Sequence, residues 1–280
     1  MPLVTTREII DSARRDGAGV GAFNVITLEH AEAIVMAAES AGRPVILQIS
    51  ENAVKFHFGL LRPITMGVTE IATRARVPVS LHLDHVEDQE LLHQAADAGF
   101  SSVMYDASKK AYADNVADTR DAARWARDHG LWLEAELGEI GGKNGAHAPG
   151  ARTDPDEAAA YVAETGVDSL AVAIGSSHAM AVQTADLDLD LLVRLRDRVP
   201  VPLVLHGSSG VPHDQLRSAV HHGMVKINIG TALNVAYTGT VREILSQPDA
   251  PIDPRKYLGP ARDAMAETIT HLLGVLDPRQ

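Results

Sequence analysis

The stretch Thr165-Gly166-Val167-Asp168, followed by Ser169-Leu170-Ala171-Val172-Ala173-Ile174-Gly175, decides the fold. A helical segment ends at a glycine, and an apolar run follows and stops in polar residues. Glycine after a helix is a C-cap signal, and a short apolar run behind it reads as a buried parallel strand. The same half-repeat recurs. Ala98-Gly99-Phe100 leads into Ser102-Val103-Met104-Tyr105-Asp106, and His222-Gly223 leads into Met224-Val225-Lys226-Ile227-Asn228-Ile229-Gly230.

Working outward, eight runs of this kind are expected to be strands: Val20–Val25, Val45–Ser50, Val79–His85, Ser102–Asp106, Leu131–Leu137, Ser169–Ile174, Pro202–His206 and Val225–Ile229. Helical periodicity fills the intervals at Leu28–Ala41, Glu87–Ala98, Asp114–His129, Asp156–Thr165, Leu189–Arg196 and His213–His222. Asp154-Pro155 and Val211-Pro212 read as helix starts. Thr5–Arg15 reads as an extra helix ahead of the first strand. Eight β/α periods without a linker predict one α/β domain over residues 1–280, a (β/α)₈ barrel with an added N-terminal helix. A doubly wound open sheet is the alternative.

Composition narrows the function. With 25 Lys and Arg against 37 Asp and Glu, the formal charge is −12, which opposes a nucleic-acid or membrane-surface role. An anionic substrate stays open, because backbone N–H groups can bind phosphate in an acidic protein. There is no cysteine, so any metal site must use His, Asp or Glu, and a reducing cytoplasm is the expected compartment. Residues 1–10 lack the pattern of a secretory signal, and no apolar run is long enough to span a bilayer.

Catalytic residues of such barrels lie at the C-terminal ends of the strands. The ends here carry Asn24, Gln48, Ser50, His82, Asp84, His85, Asp106, Glu134, Glu136, His178, His206 and Asn228. Three imidazoles from three strands, His85, His178 and His206, suit Zn²⁺ with an open position. His82 is a weaker ligand candidate. His57, His93, His129, His213, His221, His222 and His271 are expected to be solvated, and His30 structural. Asp84 is placed for general acid/base work or for orienting a histidine, and the spacing leaves both open. Gly207-Ser208-Ser209-Gly210 and Gly230-Thr231 occupy the places where this fold commonly binds phosphate. No Walker A or Gly-x-Gly-x-x-Gly pattern supports a nucleotide.

Together these residues resemble the class II, metal-dependent ketose-bisphosphate aldolases. The resemblance runs through Ala22-Phe23-Asn24, Leu81-His82-Leu83-Asp84-His85, Glu134-Ala135-Glu136-Leu137-Gly138, Val204-Leu205-His206-Gly207, Lys226-Ile227-Asn228 and Asp253-Pro254-Arg255-Lys256-Tyr257-Leu258. It implies reversible cleavage of a ketose 1,6-bisphosphate, fructose 1,6-bisphosphate before tagatose 1,6-bisphosphate, to dihydroxyacetone phosphate and glyceraldehyde 3-phosphate. It makes His85, His178 and His206 zinc ligands, with Co²⁺ as a possible replacement. It makes Asp106 and Glu136 alternative metal positions and Asp84 the acid/base at the substrate C4 hydroxyl. Asn24, Ser50, Ala179, Gly207, Ser208, Ser209, Asn228, Gly230 and Thr231 fall around the substrate. Arg255 matches a residue that reaches the second phosphate, and the family's habit implies a homodimer or homotetramer.

Three departures stand out. The loop Gly141–Gly150 holds no carboxylate where the family has a glutamate, leaving His147 or Glu139 for the carbanion-side proton. His178 is followed by Ala179 rather than Gly. Gly230 stands where relatives with different substrates carry Asp or Ala. Lys226 is read as a packed or solvent-reaching side chain. The competing readings are a metal-dependent hydrolase, which leaves the two phosphate loops unexplained, and a non-catalytic barrel subunit, which leaves Asp84 and the histidines unexplained.

Overall fold

The computed structural model describes residues 2–137, 152–177 and 180–277. Eight parallel strands close into a barrel in sequence order: β1 (Val20–Asn24), β2 (Val45–Ser50), β3 (Val79–Val86), β4 (Ser102–Tyr105), β5 (Trp132–Glu136), β6 (Ser169–Ala171), β7 (Leu203–Leu205) and β8 (Met224–Ile229). β1 pairs with β8, which removes both sheet edges. The barrel expected from the eight periods is therefore present, and the open-sheet alternative is not.

Helix α1 (Thr6–Asp16) precedes β1, as expected from Thr5–Arg15. It opens on a Thr5/Glu8 capping box and stops at Gly17, whose φ is 60°. Its Ile9, Ile10 and Ala13 pack with Val20, Ala22, Ile46 and Trp132, forming an apolar plug at the N-terminal mouth of the barrel. The larger core lies between the outer face of the sheet and the surrounding helices.

The remaining helices are α2 (Leu28–Ala41), α3 (Glu51–Phe56), α4 (Leu61–Thr73), α5 (Gln89–Gln94), α6 (Tyr112–Asp128), α7 (Pro155–Thr165), α8 (Leu189–Arg198), α9 (His213–His221), α10 (Thr231–Leu245) and α11 (Arg255–Val275). Asp154 caps α7 with Pro155 in its first turn, and Pro212 caps α9, as those dipeptides predict. Three expectations need correction. α5 is half the length read from Glu87–Ala98: Asp88 caps its start, and residues 95–99 form a turn instead of continuing the helix. β6 and β7 end earlier than Ile174 and His206, since the chain turns there into loops that still bury Val172 and Ile174. Helices α3, α4, α10 and α11 fill intervals in which no helix was read, although α4 buries Leu61, Ile64, Thr65, Val68 and Ala72 at helical spacing.

Strand alternation sends every second residue into the barrel. The α1 end of the interior mixes apolar side chains with the hydroxyls of Thr6, Ser80 and Ser102, and amide and charged side chains lie toward the other end. Ile46, Gln48 and Ser50 climb β2 beside Ser80, His82 and Asp84 of β3, in register. Trp132, Glu134 and Glu136 climb β5. Lys226 and Asn228 climb β8.

Candidate active site

Asp84 and His85 are neighbours on β3, so a regular strand would send them to opposite faces. His85 instead adopts φ 48°, and the β3–β4 register slips between Leu83 and Val86. This bulge turns His85 inward, and both side chains line one cleft. A non-glycine residue in the left-handed region is strained by about 1–3 kcal/mol, a cost typically tolerated where function needs the geometry.

The two imidazoles, His85 and His206, meet edge to face with centroids 4.8 Å apart. With Glu136 they form a group whose ligand atoms all lie within 4.8 Å of one another. Each ring is held by its other nitrogen. His85 Nδ1 lies 2.9 Å from Asp106 Oδ2, while Asp106 Oδ1 accepts bonds from the Ser108 hydroxyl and N–H. His206 Nε2 lies 3.0 Å from Glu134 Oε1, and its Nδ1 faces Glu136 Oε2 at 3.6 Å. Glu134 and Glu136 stand two residues apart on β5, so alternation brings both carboxylates to one imidazole. Asp106 therefore turns to the far side of His85 instead of joining the ligand group.

The donor set fits a divalent cation. Two imidazoles backed by carboxylates, plus a third carboxylate, is a common metal-binding arrangement. Burial disfavours charge on His85, yet the Asp84 carboxylate, the Asp106 hydrogen bond and the Glu136 charge outweigh it and hold the ring up at about 10. His178 lies outside the described residues, as do Ala179, Glu139 and His147.

Asp84 is buried, and burial pushes its carboxyl above the usual range. Its Oδ1 has no hydrogen-bond partner among the described residues; the nearest histidine nitrogen, His82 Nε2, is 3.8 Å away. Both amide atoms of Asn228 and Oε1 of Gln48 are likewise buried without a partner there. Buried polar atoms are normally satisfied, so this group around one cleft suggests a ligand that would satisfy them.

The cleft has a volume of about 390 Å³. Its walls include Asn24, Ser50, Asp84, His85, Gly207, Ser208, Ser209, Asn228, Gly230 and Thr231, all singled out from the sequence. Gly207 takes φ 65° and starts the 3₁₀ turn Ser208–Gly210. Ser209 Oγ accepts the Ala232 N–H at 3.0 Å, tying this turn to the first turn of α10. The two loops thus present backbone N–H groups and the positive end of a fifteen-residue helix to one corner. Asn24 Oδ1 accepts from Gln48 Nε2 at 2.6 Å, and Ser50 caps α3 by accepting the Ala53 N–H.

The remaining candidates fall elsewhere in the structure. His82 lies deeper in the barrel, bonded to Ser102 at 2.8 Å, and burial together with Lys226 pushes it well below its ordinary value. It is outside the ligand group. Lys226 does not reach solvent: it is 1% exposed and its Nζ bonds Glu134 Oε2 at 2.8 Å. Arg255 is exposed, folded back on Asp253, and outside the cleft walls. His57, His213 and His222 are half-buried rather than solvated; His57 Nε2 lies 2.7 Å from the Ile26 carbonyl, and His213 Nδ1 lies 3.0 Å from His271 Nε2. His30 is buried, as expected for a structural residue. The sequence reading missed Asn52, Phe56 and Asn234 as wall residues; they sit on α3 and α10, in intervals where no helix was read.

Comparison with known proteins places the chain in a family. The family model for fructose-bisphosphate aldolase class-II matches residues 4–279. The chain is 38% identical over 273 residues to a fructose-bisphosphate aldolase of Staphylococcus epidermidis, covering 96% of this chain and 95% of that protein. It is 39% identical over 273 residues to the fructose-bisphosphate aldolase of Geobacillus stearothermophilus, with the same coverage. The crystal structure of the YdjI aldolase from Escherichia coli K12 superposes with a TM-score of 0.84 at 32% identity, covering 98% of this chain and 97% of that one. A strand-end group of histidines and carboxylates, two glycine loops at one corner and matches spanning nearly the whole sequence lead to one conclusion: the chain belongs to the class II fructose-bisphosphate aldolase family, whose members are metal-dependent lyases.

Proposed function

We propose that this chain, working as one barrel domain, reversibly cleaves fructose 1,6-bisphosphate to dihydroxyacetone phosphate and glyceraldehyde 3-phosphate, with tagatose 1,6-bisphosphate or another ketose phosphate as the alternative substrate. The observation that carries this reading is Asp84 Oδ1, a buried acceptor without a partner among the described residues, on the wall of the cleft that also holds His85. Asp84 accepts the C4 hydroxyl proton as the C3–C4 bond breaks. Its raised affinity for a proton, caused by burial, suits that task.

His85, His206 and His178 would hold Zn²⁺, replaceable by Co²⁺, with Glu136 as an alternative position. Bound there, the ion would act as a Lewis acid toward the negative charge that develops on the ketose oxygens. Asp106 and Glu134 orient the two rings and fix which nitrogen each presents. Gly207, Ser208, Ser209, Gly230, Thr231 and Ala179 receive the phosphate of the ketose end through N–H and hydroxyl donors. Asn228, Asn24 and Ser50 bind the carbon chain. Arg255 reaches the second phosphate of a molecule bound in a neighbouring copy, in a homodimer or homotetramer. His147 moves the proton at the carbanion carbon, the task of a glutamate elsewhere in the family. Deuterium exchange into dihydroxyacetone phosphate tests it: His147→Ala should lose exchange with metal still bound, and unchanged exchange would refute the role. None of the helices among the described residues is long and apolar enough to cross a membrane, and the proposed site of action is the cytoplasm.

The test of the reaction is a coupled assay for triose phosphate over a panel of ketose phosphates. Release from fructose 1,6-bisphosphate at the highest kcat/KM supports the reading. No release from any member of the panel refutes it.

A further inference from the structure

The barrel interior holds a polar chain that continues past Glu134, the residue that orients His206, to side chains without a role in the proposed chemistry. It begins at His206 Nε2, 3.0 Å from Glu134 Oε1. The other oxygen of Glu134 accepts from Lys226 Nζ at 2.8 Å. The ammonium also lies 3.5 Å from His82 Nε2. His82 Nδ1 lies 2.8 Å from Ser102 Oγ, which lies 2.6 Å from Thr6 Oγ1 on α1. Four strands, β5, β8, β3 and β4, and His206 just beyond the end of β7 are thus linked across the barrel axis and seated on the N-terminal helix. Lys226, Glu134 and His206 are each at most 1% exposed.

Barrel interiors of this kind are normally filled with branched apolar side chains. A buried ion pair is weak evidence for stability, since apolar residues of equal volume often do as well. The pair must be explained by what it touches, and it touches His206. With Lys226 donating to one oxygen, Glu134 offers the other as an acceptor. The His206 ring then carries its proton on Nε2, and Nδ1, the nitrogen facing Glu136, presents its lone pair. A neutral residue at 226 would leave Glu134 free to rotate, and the ring would lose its fixed orientation.

We propose that Lys226 is a positioning residue: through Glu134 it fixes the tautomer and orientation of His206 for metal binding. The proposal rests on the reading that His206 is a metal ligand. Residues that orient a ligand histidine typically contribute about 10–100-fold to metal affinity. Lys226→Met keeps the length and removes the charge.

The experiment measures Zn²⁺ affinity by competition with a chelator for wild type and Lys226→Met, with thermal unfolding of both metal-free forms as the folding control. Long-range ¹H–¹⁵N spectra report the His206 tautomer in the same samples. The expected result is a 10–100-fold weaker Zn²⁺ affinity in the folded variant and a wild-type ring protonated on Nε2 that loses this preference on substitution. Equal affinity with an unchanged tautomer in the variant would overturn the proposal. So would a metal-free wild-type ring protonated on Nδ1, a measurement that needs no variant. If Lys226→Met fails to fold, Glu134→Gln keeps the volume and carries the same two readouts. A wild type that binds no Zn²⁺ would instead overturn the reading of the metal site, so the two failures are distinguishable.

Discussion

Replacing Gly207 by alanine should disable the phosphate corner, whereas the same change at Gly230 should be mild. An added Cβ at Gly207 would sit 2.4 Å from the Ser177 carbonyl oxygen and 2.5 Å from its carbon, both backbone atoms. Gly207 also holds φ 65°, where an L side chain costs about 1–2 kcal/mol. Relieving the overlap requires the chain at Ser177 to move, and overpacking of that kind costs about 1–3 kcal/mol. The sum is about 2–5 kcal/mol. A chain of this size loses about 2–4 °C per kcal/mol, so Tm should fall by about 4–20 °C. Gly230 has φ −132°, and the three heavy atoms nearest its added Cβ, from 3.0 Å, all belong to the Asn24 side chain. Asn24 can yield by a few tenths of an ångström, at about 1 kcal/mol or less. Differential scanning calorimetry and kcat/KM for both variants form the assay. A Gly207→Ala protein with unchanged Tm and kcat/KM within twofold of wild type would refute the reasoning.

Further outcomes follow from the same geometry. Asp84→Asn should retain the fold and metal content while turnover falls about 10²–10⁴-fold, the usual contribution of a general acid/base; near wild-type turnover would reduce Asp84 to an orienting role. His30 is buried against Tyr237, and burial lowers its ring below the ordinary 6.5. The unfolded chain therefore binds this proton more readily. The stability from a neutral His30 is complete above about pH 6.5 and declines as pH falls below it, by at most about 1.4 kcal/mol per pH unit. Urea unfolding between about pH 7 and 5 should show this slope in wild type and a shallower one in His30→Gln. Identical slopes would count against the assignment.

Most of the barrel could be read because its strands announce themselves twice, by a glycine stop before the run and polar residues after it. Gly166 and Gly223 show this at β6 and β8. Helices α10 and α11 gave no such punctuation. α10 packs on α11 and buries only Leu233 fully, with Val235 and Leu245 exposed, so it shows no apolar stripe, whereas α11, packed on α10 and α2, does carry one from Ala261 to Leu272 that the reading passed over. At the site, residue type and strand end were enough for Asp84, His85 and His206. The His85 bulge was not legible, because alternation predicts that neighbours diverge and only a positive φ brings them together. The partner of Lys226, read as packed or solvent-reaching, was not legible for a related reason. In sequence it is a charge inside a strand, and only its register across from Val204 and Val20 places it on the barrel axis beside Glu134.

The central claim is that a metal held among His85, His206 and His178 and a proton acceptor at Asp84 together break a ketose-phosphate carbon–carbon bond. Its most direct test is triose phosphate release from fructose 1,6-bisphosphate by chelator-stripped protein, before and after graded return of Zn²⁺, with metal content counted on the same samples. Activity should vanish on stripping and return in proportion to added ion, levelling at one per chain. Full turnover by protein with a measured metal content of zero would contradict the account.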